Sequence, residues 1–289
     1  MDTETSIAVT VASLAVSKVV DTVGHGIGVW YEPTRLRREA QAEIDVAKIK
    51  LKGAFELAEL EAGLRERLQG RLLHQEIRRQ QNIDAIVQSA INQAPDDVND
   101  VKPDPDWTVA FFAECEDVSD ADMQAFWGRL LADEVAQPGS FSRRTLSVLR
   151  TLSPADARLF RRLCSHAWLI DDSVVGIAVS NDGGVSRRFL EDLCGIGSRE
   201  MYRLQDLGLA KYTSTEFTIA SEPTRWAYIG ADYFSTNSKM RGIRQSFRFT
   251  LEGSELYRIA TPDANDQYRR ATIDFAKSQG FVFGKEPVE

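Results

Sequence analysis

The chain has 289 residues, which is enough for two domains. Hydrophobic residues make up 43% and charged residues 27%, a balance that excludes a fibrous or wholly disordered chain. The formal net charge of −8 argues against a protein that coats nucleic acid through bulk positive charge. Three widely separated cysteines and three histidines provide neither a disulfide framework nor a set of metal ligands, so no metal or cofactor is predicted.

Residues 1–32 are predicted to form an apolar helix followed by a glycine-rich hinge. The acidic start is unlike that of a signal peptide, and residues 7–20 are mostly Ala, Val, Ile and Leu. Lys18 and Asp21 interrupt this apolar character, and each charge at a bilayer centre costs about 2.5–3.5 kcal/mol. The pattern favours a helix buried against a neighbouring domain or subunit. A conditional membrane segment over residues 7–31 is the alternative.

Residues 33–94 are predicted to form a long, interrupted helical region. Pro33 is typical of a helix start, and the next proline is Pro95. Small and apolar residues recur at steps of three and four, as in a coiled coil. The region therefore packs on a second copy of the chain or folds back near Gly70. The residues predicted to mediate this self-association are Ala40, Ile44, Ala47, Leu51, Ala54, Leu57, Leu60, Leu64, Leu68 and Leu72.

Charge along the same region is dense and of mixed sign. Such a pattern is typical of a solvated helix with pairs three or four residues apart, and a basic face for nucleic acid or lipid is the alternative. Residues 95–106 are acidic and rich in proline, which predicts a linker. Residues 107–170 are predicted to form a helical domain with an aromatic core, its helices spanning 107–114, 119–135, 142–152 and 153–168.

Residues 171–289 are predicted to form a small α+β domain that resembles a winged helix. We expect a strand at 174–179, helices at 185–194 and 198–207, a hairpin of 211–213 with 217–219, strands at 225–234 and 246–251, and a helix from 252. The second helix of such a pair enters the major groove when the domain reads DNA, although many winged helices bind only proteins. The candidate nucleic-acid contacts are Arg187, Arg188, Arg199, Arg203 and Arg244.

A search for catalytic patterns gives no nucleophile elbow, zinc-protease motif, Walker A motif or C-x-x-C motif. Asp171, Asp172 and Asp182 lie near predicted strand ends and could bind a divalent ion, but adjacent acids in a turn are more often solvated. Ser165 and His166 are adjacent on a predicted helix, where neighbours do not face each other, so no pair of nucleophile and base is expected. The chain is therefore predicted not to be an enzyme.

Several phrases of the sequence resemble a known family. Residues 118–135, 138–146 and 149–154, with 31–35 and 76–83, resemble an uncharacterised bacterial family called domain of unknown function 2806. The phrases S-D-x-D-M-Q and L-S-P-x-D-A are more distantly similar to the abortive-infection alpha family. That second resemblance implies a role in defence against phage, and neither resemblance supplies a catalytic residue.

These observations predict a mainly helical protein with a long N-terminal helix or hairpin, a helical domain and a winged-helix-like α+β end. The expected function is that of a cytoplasmic, non-enzymatic, oligomeric scaffold in anti-phage defence, with a second copy and another protein as partners. One alternative is a winged-helix DNA-binding regulator that dimerises through the long helix. The other is a membrane-acting effector that associates with a membrane through residues 7–31 when activated.

Overall fold

The computed structural model describes residues 16–24, 62–95, 101–171, 173–177, 189–192, 194–213, 216–219, 224–236 and 241–284. The chain divides into two compact units, unit 1 with residues 1–146 and unit 2 with residues 147–289. The segment 107–170, predicted as a helical domain, contributes helices to both units.

Unit 1 is built from α-helices. They are α1 over residues 16–24, α2 (Ala62–Gln93), α3 (Pro105–Cys115), α4 (Ala121–Ala136) and the start of α5 (Arg143–Thr151). Two aspartates fix where helices begin, because Asp104 accepts a hydrogen bond from the Trp107 backbone and Asp120 accepts one from the Met123 backbone. Such N-caps satisfy backbone donors that have no partner inside the helix.

The core of unit 1 lies where the second half of α2 packs along α4. The buried residues of α2 here are Ile83, Ile86, Val87 and Ala90, and those of α4 include Met123, Trp127, Leu130 and Leu131. The helices approach closely at Gly128, where a Cβ atom would lie 2.5 Å from the Ser89 Oγ atom. Phe111 of α3 completes the core and meets Trp127 edge to face at 5.3 Å. The aromatic residues of this region therefore form the core, as predicted.

Unit 2 combines helices with an antiparallel sheet. Its helices are α6 (Pro154–Cys164), α7 (Phe189–Asp192), α8 (Ser198–Asp206), α9 (Leu251–Tyr257) and α10 (Asp266–Ser278). Its strands are β1 (Trp168–Ile170), β2 (Ser173–Ile177), β3 (Ala210–Tyr212), β4 (Glu216–Ile219), β5 (Thr224–Tyr228), β6 (Ala231–Thr236), β7 (Arg241–Phe249) and β8 (Val282–Gly284). The prediction of a mainly helical chain with an α+β C-terminal part is confirmed.

The sheet has the order β3-β7-β2-β1-β5-β6-β8, and β4 also pairs with β7. Tyr212 lies opposite Phe247, and Glu216 lies opposite Arg244. Strands β3 and β4 therefore run in the same direction along successive parts of β7. The predicted hairpin of residues 211–213 with 217–219 is wrong, because both segments pair with a distant strand and not with each other.

Two further boundaries differ from the prediction. The predicted strand over residues 225–234 is a hairpin of β5 and β6, with Tyr228 opposite Ala231. Ile229 and Gly230 form its turn with φ angles of 34° and 76°, as a type I′ turn requires. The helix predicted to reach residue 168 ends at Cys164, because Trp168 begins β1 and packs its ring 4.8 Å from that of Tyr228.

Candidate functional site

The surface of α8 is the first place to look for a site, because this helix carries two of the predicted nucleic-acid contacts. Met201 and Leu204 are buried, so the opposite face of the helix is exposed. Arg199 lies on that face, and Tyr202 follows three residues later with 58% of its surface exposed. Residues three apart on a helix are neighbours, so the two side chains lie next to each other.

Strand β3 extends this exposed surface. Gln205 follows Tyr202 by three residues on α8, and its Oε1 atom accepts a hydrogen bond of 3.3 Å from the Tyr212 backbone. Tyr212 is 49% exposed, and Lys211 beside it is exposed as well. We call these five residues, Arg199, Tyr202, Gln205, Lys211 and Tyr212, the α8–β3 surface. It exposes two aromatic rings and two cations, and the side chains of Lys211 and Tyr212, as neighbours on a strand, point to opposite faces of the sheet.

Arg203, the other predicted contact on α8, is instead bonded within unit 2. Its Nη2 atom lies 2.8 Å from the Asp156 Oδ2 atom, and its Nε atom donates to the other carboxylate oxygen. The Asp156 side chain is 3% exposed, and hydrogen bonds from Arg203 and then from Ser153 lower the pKa of its carboxyl to about 2. Arg203 therefore joins α8 to the first turn of α6 and has a positioning role.

A second ion pair fixes the start of α8. The Arg162 Nη2 atom lies 3.1 Å from the Glu200 Oε1 atom, and the other Glu200 oxygen accepts a hydrogen bond of 2.9 Å from the Gly197 backbone. Together with the pair of Arg203 and Asp156, this contact holds α8 against both ends of α6, because Asp156 lies in the first turn of α6 and Arg162 in its last turn. The α8–β3 surface is consequently presented by a helix of fixed orientation.

For the other three predicted arginines the structure gives at most a position in a strand. Arg244 lies on β7 opposite Glu216, and Arg187 and Arg188 lie outside the described residues. Sequence reasoning missed Tyr202, Lys211 and Tyr212. A signal was available for Tyr202, because it falls outside the buried spacing that Met201 and Leu204 define on α8.

The predicted self-association residues fall mostly outside the described part of the chain. Leu64, Leu68 and Leu72 lie on α2, and each is half-buried. The second half of the same helix is buried within unit 1. The predicted residues that the structure does not describe are Ala40, Ile44, Ala47, Leu51, Ala54, Leu57 and Leu60.

One phrase that carried the family resemblance, residues 76–83, forms a polar junction within unit 1. Arg79 on α2 donates to Asp117 at 3.1 and 3.2 Å, and Arg78 donates to the same carboxylate at 2.6 Å. These bonds, above all those from Arg79, lower the pKa of the Asp117 carboxyl. The Asn82 amide donates to the Glu116 carbonyl at 2.8 Å. Residues 76–83 therefore anchor α2 to the turn between α3 and α4.

Ser165 and His166 are in contact, contrary to the expectation for helix neighbours. The helix has already ended at Cys164, and the Ser165 Oγ atom lies 2.9 Å from the His166 Nδ1 atom. The Asn265 Nδ2 atom lies 3.0 Å from Nε2, while Asn265 Oδ1 accepts from the Tyr268 backbone. This arrangement assigns the imidazole proton to Nδ1. The serine hydroxyl donates to the Arg162 carbonyl at 2.8 Å, so the imidazole does not act as its base.

The described residues bear on the hypotheses of a metal site and of a membrane segment. No three His, Cys, Asp or Glu side chains within the described ranges are grouped closely enough to hold a metal ion. Among the helices in the part of the chain that the structure describes, none has both the length and the apolar character to cross a membrane. In α1, Val19 and Val23 are buried, and the Lys18 Nζ atom donates to the Val101 carbonyl at 3.5 Å.

The fold and these contacts define a protein with a helical unit and an α+β unit that exposes one helix–strand surface. Residues 66–272 match the model of a family described as protein of unknown function (DUF2806), and the chain belongs to that family. The matched residues include both the polar junction and the α8–β3 surface. No curated protein and no solved structure matches the chain.

Proposed function

We propose that the protein is a non-enzymatic, cytoplasmic interaction protein that self-associates through α2 and acts in bacterial defence against phage. The observation that carries the proposal is the change in burial along α2, a helix of 32 residues and about 48 Å. Its second half is buried against α4, whereas Leu64, Leu68 and Leu72 in its first half are only half-buried. The distant resemblance to the abortive-infection alpha family supports the role in defence.

The leucine row suits a contact with an identical helix. Leucines four residues apart form a continuous stripe on one side of a helix. Full burial of a leucine contributes about 1.5–3 kcal/mol, so three half-buried leucines leave part of that free energy to be gained on association. A second copy of the chain offers the same stripe, and a two-fold axis brings the two together.

Light scattering on the full chain tests self-association. The double variant Leu68→Glu, Leu72→Glu places two charges in the stripe, and we expect its solution mass to fall to that of a monomer. Gln69→Glu is the control, because Gln69 is exposed on the same helix and its replacement adds a negative charge outside the stripe, one against the two of the double variant. Circular dichroism of all three proteins checks that the helix content is unchanged. A wild-type monomer, or a double variant of unchanged mass, would overturn the proposal.

A second function is favoured by the order of elements in unit 2. Strands β3, β7 and β2 are neighbours in the sheet, and α7 and α8 lie between β2 and β3 along the chain, after α6. A winged helix has the succession of helix, strand, two helices and two strands, which α6, β2, α7, α8, β3 and β7 follow, with β1 and β4 to β6 as additional strands. We propose that unit 2 is a winged-helix-like module that presents α8 to nucleic acid. The charge supports this, since unit 2 has 19 Lys and Arg against 18 Asp and Glu, whereas unit 1 has 16 against 25.

Fluorescence anisotropy with labelled nucleic acid tests the module. Arg199→Ala removes an exposed cation of the α8–β3 surface, and it should weaken binding and reduce the dependence of affinity on salt. Arg270→Ala is the control, because Arg270 is an exposed arginine of the same unit that bonds to its own helix. Binding that does not depend on salt, or equal losses in the two variants, would count against the module.

A further inference from the structure

The two tyrosines of the α8–β3 surface stand apart from the other aromatic residues that the structure describes. Trp127, Trp168 and Trp226 are fully buried, whereas Tyr202 and Tyr212 are 58% and 49% exposed. They flank Gln205, which shares the helix face of Tyr202 and accepts a hydrogen bond from the Tyr212 backbone. Two exposed aromatic rings are thus carried by a helix and by the strand whose backbone bonds to that helix.

Cations lie on both of these elements. Arg199 precedes Tyr202 by one turn of α8, and Lys211 precedes Tyr212 on β3, where its side chain points to the other face of the sheet. Lys211 lies directly opposite Arg248 on β7, and both are exposed. Like charges opposite each other on neighbouring strands are destabilising, so an anion bound at this place would relieve a cost already present in the fold.

The acids of α8 leave this arrangement largely intact. Glu200 is paired with Arg162, at 3.1 Å. Asp206 is exposed and lies one turn from Tyr202, in the last turn of the helix, but it is two turns away from Arg199. Arg199 therefore has no acidic partner on α8 at its own end of the helix.

We propose that the α8–β3 surface binds single-stranded nucleic acid, with bases stacked on Tyr202 and Tyr212 and a phosphate at Arg199, and with further phosphates at Lys211 and Arg248 where the strand passes round the β3 edge of the sheet. The inference rests on the proposed nucleic-acid module and names its substrate. Unpaired bases stack on aromatic side chains, and the phosphates that alternate with them require cations. A duplex keeps its base faces inside the stack, where tyrosines cannot reach them.

The pairing of Arg203 also favours a single strand over a duplex. A helix that reads the major groove does so with side chains that reach base edges, often with the two donors of an arginine. Arg203 uses those donors on Asp156. The helix is left with Tyr202 as its largest exposed side chain beside Arg199, which suits stacking better than the reading of base edges.

Anisotropy titrations of the full chain test the inference with three fluorescein-labelled probes: twelve-nucleotide oligo(dT), twelve-nucleotide oligo(rU), and a DNA duplex of twelve base pairs. We expect one of the single strands to bind more tightly than the duplex. Tyr202→Ala and Tyr212→Ala should each weaken that binding about tenfold or more, because each removes a stacking platform. Tyr202→Phe and Tyr212→Phe retain the ring and should bind within about twofold of wild type. The two single strands distinguish DNA from RNA as the ligand.

These titrations distinguish a failure of the stacking inference from a failure of the proposed nucleic-acid module. Tighter binding to the duplex, or alanine variants that bind oligo(dT) and oligo(rU) as wild type does, would overturn the stacking inference. If Arg199→Ala still weakens binding in that case, the nucleic-acid module stands. The absence of binding to any probe would overturn both and would leave the α8–β3 surface to a protein partner.

Discussion

Replacement of Asp156 by asparagine should destabilise unit 2 by an amount that depends on pH. Each unit of pKa is worth about 1.36 kcal/mol, so a carboxyl whose pKa falls from 3.8 to about 2 gains about 2.5 kcal/mol on folding. The Arg203 side chain is 58% exposed, and solvent screens part of this interaction. We therefore expect Asp156→Asn to lower the free energy of unfolding by about 2 kcal/mol at pH 7.

The sign of the pH dependence follows from the lowered pKa. A carboxyl that ionises more readily in the folded state stabilises the fold above its unfolded pKa, and that contribution is lost as the pH falls through the folded value. The difference between wild type and Asp156→Asn should therefore be constant from pH 7 to 5, shrink below about pH 4, and largely vanish near pH 2.

Urea unfolding across this pH range is the assay, because urea carries no charge that would screen the ion pair. Asp263→Asn is the matched control. Asp263 also pairs with an arginine, Arg161 at 3.4 Å, but its side chain is 94% exposed, so its replacement should change stability by less than about 0.5 kcal/mol. A difference for Asp156→Asn that stays constant down to pH 2, or one no larger than the control, would refute the reasoning.

Four further substitutions test unit 1 and the sheet by chemical unfolding. Gly128→Ala should lower the free energy of unfolding by about 1–3 kcal/mol, because the new Cβ atom would lie 2.6 Å from the Cβ atom of Ser89. Gly70→Ala should raise the free energy of unfolding by about 0.5–1 kcal/mol, because its Cβ atom meets no atom within 4 Å and alanine favours a helix. Ile229→Asn should stabilise the β5–β6 hairpin by about 1 kcal/mol, because a β-branched residue disfavours the observed φ of 34°; an unchanged stability would contradict this. Burial raises the pKa of the Glu134 carboxyl to about 6, so its charge opposes folding, and the loss caused by Glu134→Gln should be about 1 kcal/mol larger at pH 5 than at pH 7.5.

The helices from α3 to α6 follow from the sequence because their signals are local. Asp104 and Asp120 cap α3 and α4, and Ser153 and Asp156 form a capping box at α6. Each signal lies within three residues of the helix end that it fixes. The buried faces follow in the same way, from apolar residues at helical spacing.

The sheet is less accessible to sequence reasoning because its pairings are distant. Strands β3 and β4 each pair with β7, whose paired residues lie 22 to 39 positions further along the chain, and no local pattern distinguishes that arrangement from a hairpin. The turn at Ile229 and Gly230 carries a β-branched residue where asparagine or aspartate would be the usual signal. The sequence around it consequently has the pattern of one continuous strand.

The same limit separates Arg199 from Arg203 at the site. Both are arginines on the polar side of α8, and the helical pattern alone makes them equally good candidates for nucleic-acid contacts. The difference comes from Asp156, which is 47 residues away in the chain and buried at the start of α6. A buried carboxylate requires hydrogen-bond partners, and Arg203 supplies the cationic one in addition to Ser153. Arg203 therefore orients the helix, whereas Arg199 is exposed next to Tyr202 and can contact a ligand.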